Sequence, residues 1–529
     1  MPDRQAQPLY DPRYEHDACG VGFVADAGGR SRSRVLPLAL AGLGSLGHRG
    51  AFAADGASSD GAGLLLPLEP SVLALLAPGS AGRPGVVSLF LPRSATGAAT
   101  ARELVEAALI AERLPAPTWR VVPSDPTALG READASRPAF AQAIVERPAG
   151  LSDARFELRL VLARRRMESA ARVAGDDLTR FAVPSASCRT VVYKGLVAGD
   201  RLADLFPDLT AALHVSHAIF HQRYATNTHP EWRLAQPFRA IAHNGEINTV
   251  RTNRDQVAGR AADPLGIAGS AGQRLVASGP LLSPDGSDSL SLDEALELLV
   301  ATGWGLETAL LALIPEASAL RSSGHPLAGA FARRTAGFLA PWDGPAALVF
   351  GDGRRVGALV DRNGLRPLAF AVTRDRLVAA ASEAGAVPIA SAETIRLGRL
   401  GPGELLLVDP RRGAILEDVE AKTEILRRSW RPDAPRTAFA DRPIVRNASP
   451  GSGPPTALEL RHVAGLDAER ARLDIRTMVL DAREPLWSMG DDTPTPARAR
   501  IDRPVTDHLR QAFAQVTNPP IDPERERAV

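Results

Sequence analysis

The sequence of this 529-residue chain predicts an α+β protein in which antiparallel sheets are packed in layers. Apolar runs with strand character occur in a group, segments with helical spacing follow as a second group, and further strands come after them. A parallel α/β fold would instead alternate single strands with single helices. The grouping therefore favours layered antiparallel sheets, and the length suffices for about two to four domains.

The predicted strands are apolar runs bounded by Gly, Pro, Asp or Asn, at 20–25, 63–68, 86–92, 156–163, 190–197, 214–221, 346–350, 355–360, 367–372, 376–381 and 404–408. Helical spacing is clearest at 35–46, 100–111, 291–302, 306–314 and 326–335. From about residue 430 the composition changes to Pro, Ser, Gly and Arg, which is typical of a linker. Residues 456–529 are rich in Arg and Pro and have little apolar periodicity.

Composition excludes several classes of protein. The net charge of +1 gives no basis for binding nucleic acid or an anionic membrane. Only two cysteines occur, Cys19 and Cys188, too few for a disulfide framework, a zinc cluster or an iron–sulfur site. No apolar run is long enough to span a bilayer, and residues 1–18 lack the hydrophobic centre of a secretory signal. We therefore expect a cytoplasmic protein without a metal site, and a core position for Cys188.

Cys19 is the first candidate for catalysis because it opens the run CGVGF behind a short polar leader. If residues 1–18 were removed, Cys19 would carry both a thiol and a free α-amine. An α-amine titrates near pH 8, so it could accept the thiol proton directly or through one water. The alternative is a small buried thiol at the start of a strand.

Two polar segments could bind a carboxylate. GHRG at 47–50 and SSDGAG at 58–63 offer backbone amides and Arg49, although a helix C-cap followed by a hairpin explains them equally well. At 222–228, Arg223 follows an apolar strand and precedes small hydrogen-bonding side chains, including Thr226 and Asn227. This composition suits a pocket for a polar zwitterion, and a solvated loop is the alternative.

Two further segments could complete a site. Asn244 offers a side-chain amide and Gly245 an unobstructed N–H, the donors that a tetrahedral oxyanion needs, although Asn-Gly is also a common hairpin turn. Asp288 stands just before an amphipathic helix, where it could bind an ammonium group or act as a helix N-cap.

The order of these segments resembles the class II glutamine amidotransferase domain of the glutamate synthase large subunit, whose nucleophile is an N-terminal cysteine. The matching segments are CGVGF, HRG, DGAG, VYKGL at 192–196, RYATNT, HNGEINT, SDS, PWDGPA at 341–346, DRNGLRP at 361–367, ASE at 381–383 and PGE at 402–404. The resemblance covers about 14–422 and resumes at 488–494 and 515–523, which are similar to the opening of the family's central domain.

The resemblance implies a role for each matching residue. Cys19 would be the nucleophile, and Asn244 and Gly245 would form the oxyanion hole. The substrate-binding residues would be Arg49, Arg223, Thr226, Asn227 and Asp288, with Arg223 on the α-carboxylate of glutamine and Asp288 on its α-ammonium group. Bidentate arginine suits a carboxylate, and a carboxylate suits an ammonium group.

The resemblance also implies a fold: a four-layer αββα N-terminal-nucleophile sandwich with a Pro/Arg-rich C-terminal extension. The expected organisation is a leader at 1–18, the amidotransferase domain at 19–429, a linker at 430–456 and the partial start of the central domain at 457–529.

The implied function is glutamine hydrolysis through a Cys19 thioester, with the ammonia passed to a synthase domain on another chain. L-Glutamine and a separate glutamate synthase chain would be the partners. FMN and an iron–sulfur cluster are expected only in the missing synthase part, so this chain would hold no cofactor. The alternative is a catalytically inactive regulatory or interaction subunit, but such a subunit would not need Cys19, Arg223, Asn244, Gly245 and Asp288 together.

Overall fold

The computed structural model of the chain describes residues 19–80, 82–175, 178–223, 229–259, 270–316, 326–336, 339–429, 457–458, 468 and 471–482. The described residues fall into two units, one within 1–432 and the other within 433–515. The predicted leader at 1–18 and the predicted linker at 430–456 lie outside the described residues.

The strands of the first unit are β1 (Gly20–Asp26), β2 (Ala62–Pro67), β3 (Gly85–Leu91), β4 (Thr118–Val121), β5 (Ala139–Val145), β6 (Ala182–Ser187), β7 (Thr190–Gly195), β8 (His217–Gln222), β9 (Ile241–Gly245), β10 (Ala346–Gly351), β11 (Val356–Val360), β12 (Ala369–Thr373), β13 (Leu377–Ala381), β14 (Thr394–Arg399), β15 (Leu405–Asp409) and β16 (Ala414–Glu417).

Its helices are α1 (Arg32–Ser45), α2 (Pro70–Leu76), α3 (Ala95–Ala111), α4 (Arg131–Ser136), α5 (Asp153–Ala174), α6 (Leu202–Leu205), α7 (Val250–Gly259), α8 (Ser270–Ala277), α9 (Asp288–Ala301), α10 (Leu306–Leu313), α11 (Pro326–Thr335) and α12 (Asp418–Ser429). In the second unit, a π-helical turn at Ala471–Ile475 leads into α13 (Arg476–Asp481). No helix among the described residues is long and apolar enough to cross a membrane.

Two antiparallel sheets stack face to face in the first unit. Among the described residues, the larger sheet has seven strands in the order β14-β12-β13-β1-β8-β2-β7, and the smaller has five in the order β16-β15-β11-β10-β9. Phe23 of β1 and Ile219 of β8 meet Val349 of β10 and Leu406 of β15 in one buried cluster. This cluster is the core between the two sheets.

Helices cover the outer face of each sheet. Helix α1 packs on the seven-stranded sheet, where Leu43 joins a cluster with Phe220. Helices α9 to α12 cover the five-stranded sheet, where Leu296 and Leu310 cluster with Leu348. Because the strands are buried on both faces, their sequences are continuous apolar runs instead of alternating apolar and polar residues. The predicted four-layer αββα sandwich is confirmed.

A third sheet, β4-β5-β3-β6, carries α3 and α5 and was not predicted as a separate element. The predicted strand at 156–163 is wrong, because these residues lie within α5. Alternation of Phe156, Leu158 and Leu160 with charged residues imitates a strand. The buried residues Phe156, Leu160, Ala163 and Met167 in fact follow helical spacing. Cys188 is buried in the same cluster, as expected.

Lys422 connects α12 to the loop before β15 and to the segment after α10, and it provides a test of this layer. Its fully buried ammonium contacts the carboxylate of Glu316, the carbonyl of Gly403 (2.8 Å) and Asp418 (2.6 Å). We expect Lys422→Met to lower the free energy of unfolding by about 3–5 kcal/mol, because it leaves buried carboxylates without a cation. Urea unfolding measures this change.

The control combines Lys422→Met with Glu316→Gln, which removes the stranded charge of Glu316 and should recover part of the loss. A single variant within about 1 kcal/mol of the unsubstituted protein would contradict the role of Lys422.

Candidate active site

Cys19 stands immediately before β1, at the end of the seven-stranded sheet where β1 pairs with β8. Gly20 lies opposite Gln222 in this antiparallel pair, and continuing the register by one residue places Cys19 opposite Arg223. Cys19 is half-buried and not in a disulfide. The strand pairing therefore holds a thiol beside a guanidinium at the sheet end.

Gln222 organises the loops around this position, a role that sequence reasoning missed. Its buried Oε1 accepts from the Gly199 amide (2.9 Å), and its Nε2 donates to Ser59 Oγ (3.3 Å) and the Gly61 carbonyl (3.4 Å). A Cβ at Gly50 would lie 2.3 Å from Nε2. Gln222 thus gathers the loops 47–50 and 58–61 next to the nucleophile candidate.

Arg223 is a buried cation between acidic groups. Its backbone amide donates to the Gly61 carbonyl (2.7 Å), and the side chain is about 5% exposed. Burial lowers the pKa of Arg223, and nearby Cys19, Asp60 and Asp288 act in the opposite direction. The charges of Cys19 and, more weakly, Asp288 therefore act on the same buried guanidinium, although the three residues come from distant segments.

Strand β9 is the edge of the five-stranded sheet, and two of its outward amides donate to side chains. Asp293 Oδ1 accepts from the Ile241 amide (3.2 Å), and Gln236 Oε1 accepts from the His243 amide (2.8 Å). The amide of Glu246 turns inward to the Pro345 carbonyl. The antiparallel alternation therefore directs the Gly245 N–H outward, away from β10.

Asn244 and Gly245 form the end of β9. Asn244 is about 3% exposed, and no described residue hydrogen-bonds to its Oδ1. Gly245 has φ +139°, and a Cβ there would lie 1.8 Å from the Pro345 carbonyl oxygen. Only glycine fits this position. The predicted Asn-Gly pair is therefore at a strand end with one outward N–H, and β9 packs against β1 and β8.

Asp288 begins α9, and Ser287 is the N-cap residue, with its hydroxyl accepting from the Leu290 amide (3.1 Å). Asp288 Oδ2 accepts from the Ile247 amide (2.9 Å), just beyond β9. The N-cap interpretation therefore applies to Ser287, and the Asp288 carboxylate instead faces the segment that follows Gly245.

Arg49 ends a short 3₁₀ turn at Gly47–Arg49 and pairs with the carboxylate of Glu383, which also contacts His48 Nε2 (2.8 Å). Ser382, next to Glu383, accepts from the Val21 amide of β1 (3.2 Å). Arg49 is thus held beside the start of β1. The matching segment ASE pointed to Glu383, but sequence reasoning gave it no role.

Two of the predicted substrate-binding residues, Thr226 and Asn227, lie outside the described residues. Among the described residues, no cluster of three His, Cys, Asp or Glu side chains could hold a metal ion. The site consists of a thiol, a buried guanidinium, a carboxylate and a strand end with an outward N–H. Such a set can bind a zwitterion and carry out nucleophilic attack on it.

Comparison with known proteins identifies the class. Residues 19–430 match the family of class II glutamine amidotransferases, and residues 459–529 match the glutamate synthase central domain. The chain therefore belongs to the class II glutamine amidotransferase family, as the resemblance implied.

Its curated relatives include glutamate synthases. Over 535 residues the chain is 37% identical to ferredoxin-dependent glutamate synthase 2 of Synechocystis sp., covering 97% of this chain and 33% of the relative. It is 38% identical to the glutamate synthase [NADPH] large chain of Azospirillum brasilense, covering 98% of this chain and 35% of the relative. It is 35% identical to the chloroplastic ferredoxin-dependent glutamate synthase of Oryza sativa subsp. japonica, covering 100% and 33%. The chain spans about a third of the length of these relatives.

Gly245 offers a test of the strand-end geometry. We expect Gly245→Ala to destabilise the protein by more than about 3 kcal/mol, because backbone strain and a collision with the Pro345 carbonyl act together. Urea unfolding measures the loss.

The matched control is Gly29→Ala, at φ +72° with open space around the added methyl. It should cost only about 1 kcal/mol. Equal losses in the two variants would show that the collision at β9 has no structural weight.

Proposed function

We propose that this chain hydrolyses L-glutamine to L-glutamate and ammonia through a thioester on Cys19. The observation that carries the proposal is the arrangement of Cys19 opposite Arg223, with Asp288 near the same guanidinium. It is supported by membership of the amidotransferase family.

Substrate recognition in this proposal uses opposite charges on the α-carbon groups of glutamine. Arg223 binds the α-carboxylate, and Asp288 binds the α-ammonium group. Arg49, Thr226 and Asn227 complete the binding residues. Arg223 is buried, and removal from water strengthens its attraction to a carboxylate. The side-chain amide of glutamine would then reach towards Cys19.

The chemical steps follow from the groups at the sheet end. Cleavage between Ala18 and Cys19 would free the α-amine, which takes the thiol proton as Sγ bonds to the amide carbon. The C–N bond breaks, and the departing ammonia takes that proton. Water then attacks the thioester, releasing glutamate and restoring the thiol. The neighbouring Arg223 cation favours the thiolate.

The tetrahedral intermediates place negative charge on the former amide oxygen. The Gly245 N–H, directed outward from β10, and the Asn244 side-chain amide would donate to that oxygen. Such donors contribute most when they are fixed before the reaction, and β9 is fixed by Asp293 and Gln236.

We further propose that the ammonia serves a glutamate synthase reaction on a synthase domain, carried by a separate chain. The relatives named as glutamate synthases support this assignment. In the proposal, FMN and the iron–sulfur cluster belong to that synthase part. The proposed compartment is the cytoplasm, supported by two cysteines that are not disulfide-bonded.

The test is glutamine-dependent release of glutamate and ammonia. We expect Cys19→Ala to lower kcat/KM by at least about 1,000-fold, because the nucleophile is lost. Cys188→Ala is the matched control: its thiol is buried and donates to the Glu157 carboxylate (3.0 Å), and burial followed by that carboxylate raises the pKa of the thiol. It should retain activity within about threefold.

Two results would contradict the proposal. One is equal turnover by the Cys19→Ala variant. The other is a complete absence of turnover in a protein whose first residue is Cys19, which would favour the inactive-subunit alternative.

A further inference from the structure

A chain of buried hydrogen bonds runs from the seven-stranded sheet to the Asp288 carboxylate. His221 Nε2 contacts the His243 carbonyl oxygen (3.0 Å), and His243 Nδ1 contacts Ser289 Oγ (2.9 Å). Ser289 Oγ in turn donates to Asp288 Oδ1 (3.1 Å). The two histidines and Ser289 are each at most about 5% exposed. The chain therefore lies inside the protein and reaches one of the substrate-binding groups.

The direction of each hydrogen bond follows from the donors that are present. An ionised carboxylate only accepts, so the single Ser289 hydroxyl proton points to Asp288. Ser289 Oγ must then accept from His243, which places the His243 proton on Nδ1. A carbonyl also only accepts, so His221 carries its proton on Nε2. Every proton in the chain therefore points towards Asp288 or β9.

The remaining ring nitrogens agree with these tautomers. No described residue hydrogen-bonds to His243 Nε2 or to His221 Nδ1, and both atoms are buried. Burial lowers the pKa of His243 and lowers that of His221 to about 3, so both rings are neutral at neutral pH. Each ring thus has one proton, on the nitrogen that makes the hydrogen bond.

These contacts fix Asp288 on both oxygens. Oδ1 accepts from Ser289 and Oδ2 accepts from the Ile247 amide (2.9 Å). Without the Ser289 hydroxyl, the carboxylate could turn about its terminal bond. If a charged side chain becomes ordered only when the ligand binds, the entropy cost of that ordering lowers the affinity for the ligand.

The same row of hydrogen bonds also fixes β9 next to Asn244. His243 is bound at its amide by Gln236, at its carbonyl by His221 and at its ring by Ser289. One buried residue therefore connects the end of β8, the strand that carries Asn244, and the first turn of α9.

We propose that Ser289 and His243 are positioning residues that hold the Asp288 carboxylate for the α-ammonium group of the substrate. The inference rests on the proposed function, because it takes Asp288 as the ammonium ligand. Neither residue needs to touch the substrate, and both act through the orientation of Asp288.

The kinetic test is Ser289→Ala assayed with L-glutamine. We expect KM to rise about tenfold and kcat to stay within about twofold, because loss of orientation weakens ammonium binding and leaves Cys19 unchanged. A variant that is only destabilised would lose active fraction and hence kcat, without a change in KM.

The matched control is Ser291→Ala on the same helix. Ser291 is fully buried, and its hydroxyl donates to the Ser287 carbonyl (3.0 Å) and accepts from Arg254 Nε (2.9 Å), without a hydrogen bond to Asp288. Its KM should stay within about twofold of the unsubstituted value. A similar rise in KM in both variants, or no rise in Ser289→Ala, would overturn the proposal.

The second readout does not need activity. Long-range ¹H–¹⁵N correlation spectra of ¹⁵N-histidine-labelled protein report which ring nitrogen carries the proton. We expect the Nδ1–H tautomer for His243, and a change in its signals in Ser289→Ala. The His243→Asn variant assigns the resonance.

An Nε2–H tautomer for His243 would contradict the proposed hydrogen bonds from His243 to Asp288, even if the enzyme were active. If His243 has the expected tautomer but the protein does not hydrolyse glutamine, the proposed function is contradicted and the hydrogen-bond arrangement is not. The two failures are therefore distinguishable.

Discussion

The pairing of β1 with β8 is the constraint on which the site depends. It fixes Gly20 against Gln222 and so places Cys19 across from Arg223. The backbone hydrogen bonds of the strand pair thus set the relative positions of a partly exposed thiol and a buried guanidinium. Because both strands lie inside a seven-stranded sheet between two apolar layers, a one-residue change in their register would move each side chain into the opposite core layer, where it does not fit.

A second constraint acts on the opposite sheet. β9 is an edge strand, and its outward amides would cost free energy if they were buried without partners. Asp293 and Gln236 satisfy two of them, which fixes α9 and the loop before β9 against the strand. Gly245 N–H comes next in the same row. The side chains that satisfy the edge-strand amides therefore also fix the orientation of the Gly245 N–H.

The four-layer sandwich and the roles of the site residues were implied by the resemblance to the amidotransferase family, and the sequence patterns themselves predicted layered antiparallel sheets. They misassigned 156–163, where alternating Leu and Arg in α5 imitate a strand. They also gave no role to Gln222, Asp293 or Ser289. Those roles depend on contacts between distant segments; Gln222 and Ser59, for example, are 163 residues apart in sequence. A single sequence without the fold contains no signal for such pairs.

We propose that Cys19 is the nucleophile and the first residue of the active chain. Covalent labelling with 6-diazo-5-oxo-L-norleucine, a reactive glutamine analogue, followed by peptide mass mapping tests it most directly. We expect one adduct, on a peptide whose first residue is Cys19, and protection of that residue by L-glutamine. An adduct on Cys188, or an adduct on Cys19 within a peptide that still contains Ala18, would contradict it.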